Sequence, residues 1–99
     1  MQKLGETIVM MESNDYRERF KAEYYQTKIR YEKLKAFNNK IEAAEMTMYN
    51  GPICEGQPVK KIDMPKHDCP NHLLREQQSI MGSYLHILEV RAVIEGIEL

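Results

Sequence analysis

From Asp15 to Met48 the chain contains neither proline nor glycine, and between Tyr49 and Pro70 it then contains six: Gly51, Pro52, Gly56, Pro58, Pro65 and Pro70. Proline removes a backbone donor and glycine carries the largest entropic cost in a helix, so the first segment is free to be helical and the second is denied it. Beyond Pro70 only Gly82 interrupts the chain before Gly96. This punctuation predicts an all-α chain: an antiparallel two-helix hairpin over 14–99, with helix 15–48, a long Pro/Gly-rich connection 49–70 and helix 71–95.

Capping residues and apolar spacing support both helices. Asp15 and Glu18 have the spacing of a capping box, and Pro70 suits a first helical turn, with Asp68, Cys69 or Asn71 as candidate caps. In the first helix Phe20, Tyr24, Thr27, Tyr31, Leu34, Ile41 and Met48 recur in three- and four-residue steps. Asn38 and Glu45 fall on the same seam and predict a limited packing stripe rather than a continuous coiled coil. The second helix has two apolar stripes, Leu74, Met81, Leu85, Leu88 and Ala92 on one and Ile80, Tyr84, Ile87, Ile94 and Ile97 on the other. One stripe can meet the first helix and the other needs a second partner, which predicts a homo-oligomer. Residues 1–13 form a lead whose Ile8-Val9-Met10-Met11 run is too short to choose between strand and helix.

Charge and cysteine content narrow the function classes. Fourteen basic and fifteen acidic residues give a net charge of -1, which argues against a binder of long nucleic acid. No apolar run is long enough for a membrane span, and the N-terminus lacks the pattern of a signal peptide, so a cytoplasmic location is expected. Cys54 and Cys69 are then expected as reduced thiols. Cys54, His67, Cys69 and His72 are zinc-binding residue types, but their spacing matches no zinc finger, and no metal or other cofactor is expected. His67-Asp68-Cys69 holds the residue types of a nucleophilic site as sequence neighbours, which rarely attain the required geometry. No phosphate-cradling glycine loop, G-x-S-x-G or H-E-x-x-H occurs, so no catalytic residue is expected and the chain is not read as an enzyme.

The segment richest in chemistry interleaves rings with cations: Tyr16, Arg17, Arg19, Lys21, Tyr24, Tyr25, Lys28, Arg30 and Tyr31. Bases stack on rings and phosphates pair with Arg and Lys, while a helix N-terminus adds partial positive charge. The alternative is a solvated face on which Glu18, Glu23 and Glu32 pair with those cations and the tyrosines serve the core. In the second helix Arg75, Gln78, His86 and Arg91 are polar positions beside apolar ones, and Arg91 is spaced to pair with Glu95. Lys60, Lys61 and Lys66 in the connection are candidate phosphate contacts.

Asn14-Asp15-Tyr16-Arg17-Glu18-Arg19-Phe20, Arg30-Tyr31-Glu32-Lys33-Leu34, Cys69-Pro70 with Leu73-Leu74, and Tyr84 to Ala92 continuing through Ile94 to Leu99 together resemble a family of small helical-hairpin proteins of tailed phages, including crAss-like phages. The lead and the long connection depart from it. The layout is similar to the hairpin of phage anti-CBASS and anti-Thoeris sponges. That resemblance implies a homo-oligomer in the host cytoplasm that sequesters a small nucleotide second messenger, a cyclic oligonucleotide or a cyclic ADP-ribose, without cleaving it. The expected ligand-binding residues are Tyr16, Arg17, Arg19, Tyr24, Tyr25, Lys28, Arg75 and Arg91. Two rivals are a helical module that inhibits a host protein and a small virion or assembly component.

Overall fold

The computed structural model describes residues 3–49 and 62–99. Among them are three helices and no strand: α1 (Leu4–Met11), α2 (Tyr16–Tyr49) and α3 (Asn71–Glu95). The lead thus adds a short helix to the expected hairpin. The expected connection lies in part, from residue 50 to 61, outside the described residues, and residues 62–70 carry no helix.

The N-terminus of α2 is capped in an altered way. Asp15 accepts a hydrogen bond from the Arg17 amide at 3.0 Å, as a capping side chain should. The reciprocal partner is the Ser13 hydroxyl, which accepts from the Asp15 amide at 3.0 Å in the role expected of Glu18. At the start of α3 no side chain caps the helix, and the Pro70 carbonyl accepts from the Leu73 and Leu74 amides. Its other end is a left-handed stop: Gly96 has φ 69, its amide donates to Val93, and the Ile97 amide donates to Ala92 at 2.8 Å. Glycine enters that conformation without a Cβ penalty, and the two bonds close the last turn as a Schellman motif.

α2 and α3 pack antiparallel around Phe20, Tyr24, Leu85, Leu88, Ala92 and Ile97, with Tyr25 and Tyr31 half-buried against them. Asn38 sits on this seam too, buried, donating to the Leu74 carbonyl at 3.1 Å and to Gln78 Oε1 at 2.9 Å, so its polarity is matched. Two expectations change. Ile97, placed on the outer stripe of the second helix, belongs to the core because the turn at Gly96 carries it back over the seam. Met48, placed on the seam of the first helix, is exposed. The rest of the outer stripe, Ile80, Tyr84, Ile87 and Ile94, lies exposed along α3.

Among the described helices α1 packs on α2 and not on α3. The Gln26 amide donates to Thr7 Oγ1 at 3.0 Å, and Thr7, fully buried, donates in turn to the Leu4 carbonyl at 2.6 Å. Gln26 and Ala22 lie on the side of α2 away from its α3 seam, so α2 is the middle layer. None of the three helices is long and apolar enough to cross a membrane.

Candidate ligand-binding site

The antiparallel packing collects Tyr16, Arg17 and Arg91 where α2 begins and α3 ends. The last carbonyls of a helix lack intrahelical donors and carry partial negative charge, which a cation nearby offsets. Arg17 supplies this, donating to the Gly96 carbonyl at 3.0 Å and to the Glu95 carbonyl at 3.4 Å. Arg91 donates to Glu95 Oε2 at 3.2 Å and to the Tyr16 hydroxyl at 2.8 Å, and its guanidinium stands 5.2 Å from the centre of the Phe20 ring. The Tyr16 hydroxyl donates to Glu95 Oε1 at 2.8 Å, and that bond raises its pKa above the ordinary phenol value. These three expected residues are therefore together at the helix ends, Arg91 bonded to Tyr16 and all three bonded to Glu95.

Arg19 lies apart, its guanidinium donating to the Ser13 carbonyl at 2.9 Å and lining a small cavity of about 270 Å³ with Met11, Glu23 and Gln26. Tyr24 is buried, with its hydroxyl donating to Glu89 Oε2 at 2.9 Å. Burial first, and then the Glu89 bond, push its pKa up to about 12. Tyr25 meets the Tyr24 ring edge-on at 5.3 Å, and Lys28 Nζ lies 5.9 Å from the centre of that ring.

Tyr24 and Lys28 line a shallow cavity of about 250 Å³ with Tyr31, Glu32, Gly82, Leu85 and Glu89. Gly82 and Tyr31 also line a larger open groove of about 800 Å³ with Arg75, Gln78, Ser79, Ser83, His86 and Ile87. Gly82 sets the junction: a Cβ there would meet Tyr31 Cε1 at 3.2 Å, a tight contact that the ring would have to relieve by shifting a few tenths of an ångström, so the missing side chain lets the ring lie close against α3. Arg75, the remaining expected residue, sits at this groove, half-exposed and 3.4 Å from Glu45 Oε2.

The groove brings together one aromatic ring, a guanidinium, an imidazole, an amide and two hydroxyls. That set can stack on a flat heterocycle, pair with an anion and satisfy sugar hydroxyls. Ser79, Ser83 and Tyr31 were not among the expected site residues. The signal was present: Arg75, Ser79 and Ser83 recur every four residues, as do Gln78, Gly82 and His86, giving α3 two adjacent polar rows.

The alternative is met in part: Tyr24 serves the core, with Tyr25 and Tyr31 packed against it, while a salt-bridged face on α2 is not seen among the described residues. Among the described residues the ion pairs are Arg75–Glu45 and Arg91–Glu95, and neither involves Glu18, Glu23 or Glu32. Glu23 instead accepts a hydrogen bond from Tyr84 of α3, which raises the Tyr84 pKa. His67 Nδ1 lies 2.7 Å from the Cys69 carbonyl, and its ring meets Phe37 edge-on. Cys54, Lys60 and Lys61 lie outside the described residues, among which no group of three or more His, Cys, Asp or Glu is clustered to hold a metal.

A family model described as Sequestin matches residues 14–50 and 60–94, nearly three quarters of the 99 residues. Comparison with curated proteins finds no match, nor does comparison with solved structures.

Proposed function

The chain belongs to the Sequestin family, and from that premise we propose that it is a phage-encoded, homo-oligomeric protein of the host cytoplasm. In this reading it sequesters a small nucleotide second messenger, a cyclic oligonucleotide or a cyclic ADP-ribose, and so blunts host antiviral signalling. It binds without cleaving and is not an enzyme.

The observation that carries the reading is the α2–α3 groove, where Tyr31, Arg75, Ser79, Ser83 and His86 converge around Gly82. A nucleotide needs a stacking surface, cationic partners for phosphate and donors for ribose, and this groove offers each. The family name, which denotes sequestration, agrees with holding rather than converting a ligand. Of the residues expected from the sequence, Arg75 belongs to this groove, and Tyr24 and Lys28 to the cavity that adjoins it across Gly82. Tyr16, Arg17 and Arg91 close the helix ends, and Tyr25 and Arg19 flank the core and α1. They act on binding by holding the hairpin shut.

The exposed apolar stripe of α3 favours a second reading, a helical module that docks on a host protein. A thermal-shift screen separates the two, because a ligand that binds only the folded state must raise its stability. Cyclic di- and trinucleotides and the cyclic ADP-ribose isomers are the probes. At a ligand concentration about 100-fold above Kd the stabilisation expected is about 2.7 kcal/mol. No shift and no heat of titration with any of them would sink the nucleotide reading.

A further inference from the structure

We propose that α3 pairs with α3 of a second copy, antiparallel, about a two-fold axis between Ser83 and Tyr84, and that this pairing walls the open side of the groove. The inference rests on the homo-oligomeric reading above and adds the helix, the register and the consequence for the site.

Leu73, Ile80, Ile87 and Ile94 recur every seven residues along α3 and are 49%, 61%, 54% and 77% exposed. A seven-residue apolar recurrence keeps one face of a helix turned toward another helix along its whole length. Here it runs for three heptads, about 32 Å at 1.5 Å per residue. The stripe lies off the core seam, since Leu85, Leu88 and Ala92 point into α2. With the flanking Tyr84 and Val90, 37% and 45% exposed, it offers roughly 500 to 600 Å² per copy. A symmetric pair that covered all of it would bury up to about 1,100 Å² from these side chains, which reaches the size of about 1,000 Å² that a specific interface needs.

Charge selects the direction. A two-fold axis between Ser83 and Tyr84 sets Ile80 against Ile87 and Leu73 against Ile94. The same register sets Glu76, at the edge of the stripe, against the partner's Arg91, and symmetry makes this pairing twice. A parallel pair in register would oppose Glu76 to Glu76 and Arg91 to Arg91.

Ser83 and Ile87 line the groove and also lie at or beside the stripe. In the antiparallel register Ile87 faces the partner's Ile80, and Ser83, next to the two-fold axis on the groove side of the stripe, comes beside the partner's Ser83. A second copy therefore supplies an aliphatic side chain, Ile80, to the side of the groove that a single chain leaves open. The site is then incomplete in one copy.

The test is light scattering coupled to gel filtration on the full chain, with circular dichroism as the control for folding. The wild type is expected at twice the 11.7 kDa of one chain. The pair of substitutions I80E and I87E, both on exposed positions, is expected to give the monomer mass with unchanged helicity. Glu76→Arg alone, which would oppose the partner's Arg91, should weaken the pair about tenfold or more. With Cys54 and Cys69 replaced by serine, Ser83→Cys is expected to form a covalent dimer on mild oxidation. A monomeric wild type overturns the homo-oligomeric reading and this inference together. A wild-type oligomer that persists in I80E/I87E overturns the seam and leaves that reading standing. An E76R variant that pairs as tightly as the wild type overturns the antiparallel register, and failure of S83C to cross-link overturns the wall over the groove. None of these readouts depends on a nucleotide.

Discussion

Tyr24 shows how the same residue type changes role with its surroundings. In the sequence it is one of several rings among cations, and in the fold it is 5% exposed with its hydroxyl committed to Glu89. Losing its proton would place a phenolate beside a carboxylate in a poorly hydrated site, which is why its pKa rises from 10.0 to about 12. A group whose folded pKa exceeds its unfolded value contributes stability that is complete below pH 10 and is lost as pH rises through about 12. The unfolding temperature of the wild type should therefore fall across that window. Tyr24→Phe should show a shallower fall, though not a flat one, because Tyr16 and Tyr84 are raised in the same direction by Glu95 and Glu23. Thermal melts of both proteins from about pH 9 to pH 12 check this, and identical slopes would remove Tyr24 as the cause.

The helices were readable because their signals are local. Absence of Pro and Gly, capping types and three-four spacing all act within a few residues, and α2 and α3 lie within one residue of the bounds that these signals set. The lead was undecidable for the same reason: α1 is eight residues long, and its helicity rests on Thr7 and Gln26 meeting across a gap of nineteen positions. Ile97 was misplaced because extrapolating a helical stripe past Gly96 ignores the left-handed turn there. The candidate site was legible in its residue types but not in its location. Arg17 and Tyr16, expected as ligand contacts, are met in the fold by the carbonyl end of α3 and by Glu95, which no local pattern announces. Ile97 also supplies a sharp test of the α3 terminus. Truncating a buried isoleucine typically costs about 2 to 4 kcal/mol, so Ile97→Ala should destabilise by that amount in urea unfolding. An exposed-stripe position such as Ile94 should lose far less in the single chain, and equal costs at the two sites would contradict the placement of Ile97 in the core.

The described residues form a rod, 57 × 25 × 23 Å, with a radius of gyration of 18.2 Å. A compact domain of this length has about 13 Å. Elongation leaves α2 with one long seam against α3 and a short one against α1: nine apolar residues are buried among those described, while sixteen large ones stay exposed, seven of them on α3. A single chain of this shape buries little of its apolar surface on folding, and a second copy is the direct way to bury more. If folding and association are coupled in this way, stability depends on protein concentration, because mass action favours the state that associates. Raising the concentration 100-fold changes the free energy of a dimer by about 2.7 kcal/mol, which for two chains of this size corresponds to a rise in Tm of about 5 °C or more. Calorimetric scans from about 1 to 100 μM should show that rise for the wild type. They should show none for I80E/I87E, whose Tm should be lower and independent of concentration. A wild-type Tm that does not move over this range would mean that the rod is stable alone, and that its exposed stripe is held in reserve for a different protein.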